Sequence, residues 1–101
     1  MEKQFFVLHL LARRPDFVTT MTDEEKAIMG QHVAYWTEKL NQGKVYAFGP
    51  VMDPKGIYGL GVVEVENEQE LKDFISNDPA CQINRYEYFP MKAVVPTISK
   101  G

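Results

Sequence analysis

Cysteine is nearly missing from this sequence: Cys81 stands alone among 101 residues. An intrachain disulfide is therefore impossible, and a zinc site cannot be assembled from thiolates. Basic clusters are missing too. Arg13-Arg14 is the one adjacent basic pair and the net charge is −3, which argues against a surface that tracks nucleic-acid phosphates. The apolar run from Phe5 to Ala12 covers eight residues and is interrupted by His9. It is too short to span a bilayer, and it lacks the basic lead and small-residue cleavage site of a signal peptide. A cytoplasmic chain without membrane contact is the expectation. Gly56, Gly59 and Gly61 do not precede a helix, so no phosphate loop is present. His9, His32 and scattered carboxylates give no metal-ligand spacing, so neither metal nor cofactor is expected.

What is there is ordinary for a globular protein, with 45% apolar and 25% charged residues. Residues 1–101 make one domain by size. A chain this short buries only about 60–70% of its unfolded surface, which leaves thin stability margins. Phe5 to Leu11 is apolar on both alternating faces and predicts a strand covered on both sides. Arg14-Pro15 ends it. Thr22-Asp23-Glu24-Glu25 is a capping box opening a helix that stops near Gln42, before Gly43. Met29, Val33, Trp36 and Leu40 form its apolar stripe, with His32 on the shoulder beside Ile28 and Tyr35.

Lys44 to Phe48 reads as a second strand, closed by Gly49-Pro50. Asp53-Pro54-Lys55-Gly56 is a turn before a third strand, Ile57 to Val65. Gly59 and Gly61 share a face of that strand and leave room for another backbone or a ligand. Asn67 to Glu70 repeats the capping pattern and opens a helix on Leu71, Phe74 and Ile75, ended by Asp78-Pro79. Tyr86 to Val95 is the last strand, with Pro90 marking an edge or bulge. The order β-α-β-β-α-β is the ferredoxin-like arrangement, an α+β fold with helices on one face of an antiparallel sheet. The apolar second face of the first strand predicts a homodimer, because exposed patches of that size rarely go unused.

Two polar residues stand out. In this fold both helices lie on the same side of the sheet, so His32 on the first can approach Asp78 at the end of the second. A carboxylate bonded to one imidazole nitrogen fixes the tautomer and readies the other nitrogen for general acid–base work. The plainer reading is that His32 packs beside Trp36 and bonds a backbone carbonyl, while Asp78 only ends a helix. His9 shares a strand face with Phe5, Val7 and Leu11; it points into a ligand cavity or is a satisfied core histidine. Arg14 is a candidate clamp for an anionic substrate or a surface arginine beside a proline. Tyr35, Trp36 and Phe48 are candidate pocket walls with Phe5, or simply core. Cys81 has no base or second cysteine nearby to make it a nucleophile.

Arg14-Pro15-Asp16-Phe17, the capped helix carrying His32-Val33-Ala34-Tyr35-Trp36, Gly49-Pro50-Val51, Asp53-Pro54-Lys55-Gly56, Gly59 and Asp78-Pro79 together resemble the YciI-like (YCII-related) proteins. The likeness runs from the first strand to Pro90-Met91. It implies a dimeric α+β barrel of two ferredoxin-like units, and active-site roles for His32 and Asp78. Gly49-Pro50 would shape the rim of the same cleft. Relatives of that family include a dehydrochlorinase of chlorinated hydroxyaromatic compounds, and the wider superfamily includes muconolactone isomerases. The expectation is thus a cofactor-independent isomerase or lyase acting on a small, ring-derived organic acid. The alternative is a small-ligand-binding module in which the pair only orients a ligand.

Overall fold

In the computed structural model, which describes residues 3–96, the chain runs β1 (Gln4–Leu11), α1 (Phe17–Thr20), α2 (Asp23–Asn41), β2 (Val45–Val51), β3 (Tyr58–Val65), α3 (Glu68–Ser76), a 3-10 turn (Pro79–Gln82) and β4 (Arg85–Met91). All pairings are antiparallel, in the order β2-β3-β1-β4. This is the ferredoxin-like order expected from the sequence. The dimeric α+β barrel is not found: β2 and β4 are opposite ends of an open four-stranded sheet. The physical reason is size, since closure of a filled barrel takes about eight strands.

The strand pleat sorts β1 cleanly. Phe6, Leu8 and Leu10 are buried, while Phe5, Val7, His9 and Leu11 are only half-buried on the face without helices. The strand expected to be covered twice is therefore covered once within this chain. On the helix side, Phe6 and Leu8 meet Trp36, Val45, Val63, Val65, Leu71 and Phe74 in one core. Trp36 is its hinge, edge-on to Phe74 with ring centroids 4.9 Å apart and lying over Gly61, where a Cβ would fall inside the indole. The room left by Gly61 is thus filled by this chain's own tryptophan. At Gly59 a Cβ would come within 3.2 Å of the Leu10 side chain, a tight but lesser contact.

The first capping box forms completely and the second only on its Asn67 side, because the Glu70 carboxylate takes the Glu66 N–H instead. Thr22 Oγ1 accepts the Glu25 N–H at 3.1 Å, and the Glu25 carboxylate accepts the Thr22 N–H at 2.9 Å. Asn67 Oδ1 accepts the Glu70 N–H at 2.9 Å. Gly43, at φ 81°, ends α2 in the left-handed region that glycine tolerates. The stripe on α2 departs from expectation. Val33 and Leu40 are 51% and 38% exposed, and the inward face is instead Glu25, Ile28, Met29, His32, Tyr35, Trp36 and Lys39. His32 therefore lies at the middle of that face rather than on its shoulder. Glu25, His32 and Tyr35 bring polar groups to this face, and each is satisfied by a partner from another element. That is why a stripe drawn through apolar residues alone was rotated.

Three boundaries also move. Asp78 does not end α3; Asn77 does, and Asp78 caps the 3-10 turn that follows. β2 continues through Gly49-Pro50 to Val51, and β4 stops at Met91. No described helix is long and apolar enough to cross a membrane.

Candidate active site

Asp78 is 2% exposed, and a carboxylate that deep survives as an anion only where donors surround it. The 3-10 turn supplies the first, since Ala80 N–H donates to Oδ1 at 3.0 Å. From α2, Trp36 Nε1–H donates to Oδ2 at 2.8 Å. From β4, the Tyr86 hydroxyl donates to the same oxygen. His32 Nδ1 lies 2.9 Å from both carboxylate oxygens. Burial works against the negative charge, but the bonds from His32, Tyr86 and Ala80 outweigh it and hold the Asp78 carboxyl below its ordinary value. The carboxylate can therefore only accept, and Nδ1 of His32 must carry the hydrogen.

That assignment decides the chemistry of the other ring nitrogen. In the neutral ring Nε2 then keeps its lone pair, and no hydrogen bond holds it among the described residues. His32 lines a cleft of about 220 Å³ between α2 and the sheet, walled by Leu8, Leu10, Phe17, Met29, Trp36 and Phe48 among others. Burial, then the charge of Asp78, pushes the Tyr86 hydroxyl far above the usual phenol range, so it remains a donor to the carboxylate. Trp36 Nε1–H also reaches the Tyr86 oxygen at 3.1 Å. The histidine, carboxylate, indole and phenol thus form one connected network with a single unbonded basic nitrogen.

The other sequence candidates divide. Trp36, Phe48, Gly49 and Pro50 line the cleft with His32, and a Cβ on Gly49 would meet nothing within 4 Å. Tyr35 turns away; its hydroxyl donates to Phe74 O at 2.8 Å. Arg14 is engaged elsewhere. Its guanidinium holds Glu25 Oε1 and Oε2 at 2.8 and 2.9 Å, and Thr20 Oγ1 and O at 2.8 and 2.7 Å. It thereby ties α1 to the start of α2 rather than facing the cleft. His9 and Phe5 lie on the helix-free face, His9 against Tyr58 and Phe89 and Phe5 against Tyr46. Neither reaches the cleft, because the pleat puts odd-numbered β1 residues on the far side of the sheet.

Sequence reasoning missed Tyr86 and Asn84, which line the cleft, and the wall supplied by Phe17, Val18 and Met21. A signal for Tyr86 existed, since Tyr86 and Tyr88 alternate on one face of the last strand. For Asn84 there was none. No cluster of three or more His, Cys, Asp or Glu side chains placed to hold a metal occurs among the described residues.

The YCII-related domain family matches residues 5–94. The chain belongs to that family. Among solved structures, this YCII-related chain is similar to 5-chloro-2-hydroxyhydroquinone dehydrochlorinase (TftG) from Burkholderia phenoliruptrix AC1100, in complex with 2,5-dihydroxybenzoquinone. The TM-score is 0.67 and the identity 16%, over 87% of this chain and 93% of that one. At that identity the likeness shows a shared fold. No curated protein matches this chain in sequence.

Proposed function

We propose that this YCII-related chain is a small-molecule enzyme in which His32, oriented by Asp78, moves a proton on a ring-shaped substrate. The observation that carries the reading is the unbonded Nε2 of His32 in an apolar cleft, behind an Nδ1 fixed by a buried carboxylate. As Nε2 takes a proton the ring becomes cationic, and Asp78 stabilises that charge at 2.9 Å without moving. In an isomerisation the same imidazole returns the proton to another atom of the substrate. In an elimination the proton stays on His32 while the electron pair it leaves behind expels an anion such as chloride, and solvent then takes the proton.

Size and polarity narrow the substrate. An apolar cavity of about 150 Å³ accepts benzene, so about 220 Å³ suits one six-membered ring with a few small substituents. Among the described residues no Lys or Arg lines the cleft, and burying an unpaired carboxylate there would be costly. The favoured substituents are therefore hydroxyl, carbonyl or halogen, and the acidity belongs to a phenol. The dehydrochlorinase of similar fold, which acts on a chlorinated hydroxyhydroquinone, supports this class. A second copy covers the helix-free face, where Phe89 and Met91 are 51% and 41% exposed beside half-buried Phe5 and Val7. Sedimentation velocity showing a monomer at micromolar concentration would remove that part.

The test is a screen of hydroxylated, halogenated and keto-substituted single rings with the purified protein, read as product formation and halide release. The proposal expects turnover of at least one compound, abolished by His32→Ala while ligand binding persists. Binding without any reaction in the unsubstituted protein would make this a ligand-binding module instead.

A further inference from the structure

Asn84 follows the 3-10 turn, one residue before β4, and is 8% exposed. The backbone N–H of Arg13 donates to its Oδ1 at 3.1 Å. Because that N–H can only donate, the atom facing it must be oxygen, and the orientation of the amide is thereby fixed. Nδ2 then points the other way, where its protein contact is Met29 Sδ at 3.8 Å, a weak acceptor. Asn84, Met29 and His32 all line the cleft.

The remaining polar side chains of the lining are engaged or turned away. Trp36 Nε1 and the Tyr86 hydroxyl serve Asp78, and the Tyr58 ring lies against His9 on the opposite face of the sheet. Among the described side chains of the lining, Asn84 Nδ2 is therefore the donor left, while His32 Nε2 in the neutral ring accepts. A buried N–H facing a thioether is poorly satisfied, and a ligand oxygen would complete it.

We propose that Asn84 is a substrate-contacting residue whose Nδ2 donates a hydrogen bond to a carbonyl or hydroxyl oxygen of the ring, selecting oxygenated rings over hydrocarbon ones. The proposal rests on the cleft being the substrate site. It adds that the substrate carries an acceptor oxygen apart from the position that gives its proton to His32. In a proton abstraction beside a carbonyl, this donor would face the oxygen on which negative charge develops.

The probes are cyclohexanone, which only accepts hydrogen bonds, and its hydrocarbon isostere methylenecyclohexane, titrated by two-dimensional ¹⁵N–¹H spectroscopy. In the unsubstituted protein, cyclohexanone should bind about tenfold more tightly, the worth of one buried hydrogen bond, and should shift the Asn84 side-chain amide resonances. Methylenecyclohexane should leave those resonances nearly still. Asn84→Asp keeps an oxygen for the Arg13 N–H but replaces the donor with an acceptor, and the preference should vanish. His32→Ala should retain it, because the imidazole plays no part in holding an acceptor-only ring. An unmoved Asn84 amide, or an undiminished preference in Asn84→Asp, overturns the role of Asn84 and leaves the His32 reading standing. Failure of both rings to bind the unsubstituted protein overturns both.

Discussion

Tyr86→Phe removes one oxygen atom and asks whether Asp78 is truly a charged hub. The phenol ring stays, so the packing against Trp36, with centroids 6.4 Å apart, is retained and no cavity opens. Asp78 loses one donor and keeps His32 Nδ1, Trp36 Nε1 and Ala80 N. A hydrogen bond to a charged group is worth about 1.5–3 kcal/mol, against about 0.5–1.5 kcal/mol for a neutral one. Tyr35→Phe is the internal control, because its hydroxyl donates to the neutral Phe74 carbonyl at 2.8 Å. In a domain of this size each kcal/mol moves the melting temperature by about 4–8 °C, so Tyr86→Phe should cost roughly 10 °C and Tyr35→Phe about half that.

Thermal melts give both shifts, and urea unfolding followed through the single tryptophan, Trp36, gives the two free-energy losses, with an unchanged slope confirming that only stability moved. The pH dependence follows from Asp78, whose folded value lies below its ordinary one. The stability linked to its charge is present above the ordinary carboxylate range and is lost as the pH falls through the folded value. The Tyr86 bond is one cause of that lowering, so the gap between Tyr86→Phe and the unsubstituted protein should be widest near neutrality and close below about pH 4. Equal losses for the two tyrosines, or a gap that widens in acid, would refute the charged hub.

Gly61→Ala should be strongly destabilising, by about 1–3 kcal/mol or more from overpacking, because its Cβ would collide with the Trp36 ring; altered Trp36 fluorescence in the folded state would accompany it. Gly49→Ala, where nothing lies within 4 Å of the new methyl, should leave the melting temperature nearly unchanged. Bonds from Arg14 and from the Thr22 N–H hold the Glu25 carboxyl at about 2, so its share of stability is lost as the pH falls from the usual carboxylate range toward 2. Glu25→Gln should therefore melt earlier at pH 7 and decline less steeply between pH 5 and 2, as measured by calorimetry.

Legibility in the sequence followed how local each cause was. The capping box at Thr22, the glycine stop at Gly43 and the turn at Asp53–Gly56 depend on a few neighbouring residues, and they were readable. The pairing of His32 with Asp78 was foreseeable because the order of elements puts both helices on one side of the sheet. The 3-10 turn that aims Asp78 was not, since Asp78-Pro79 reads equally well as a helix end. Tyr86, Trp36 and Asp78 converge through the register of β4 on β1, which sets Tyr86 opposite Leu10; no short segment encodes that. Arg14 misled for a different reason. Its ligand is Glu25 of the same chain, and a guanidinium looks equally suited to a carboxylate on a substrate until the partner is seen. The barrel, implied by the family resemblance, had no support in the residues themselves, because an open sheet and a closed one share the same alternation along each strand.

The role proposed for Nε2 of His32 is that of a working base in the cleft. It is tested most directly by solvent deuterium exchange into a tautomerisable dihydroxybenzene such as resorcinol, followed by NMR in heavy water. The protein should accelerate loss of a ring C–H signal, and His32→Ala should return the rate to that of buffer. Exchange at the buffer rate with the ring demonstrably bound, or acceleration that survives His32→Ala, would contradict it.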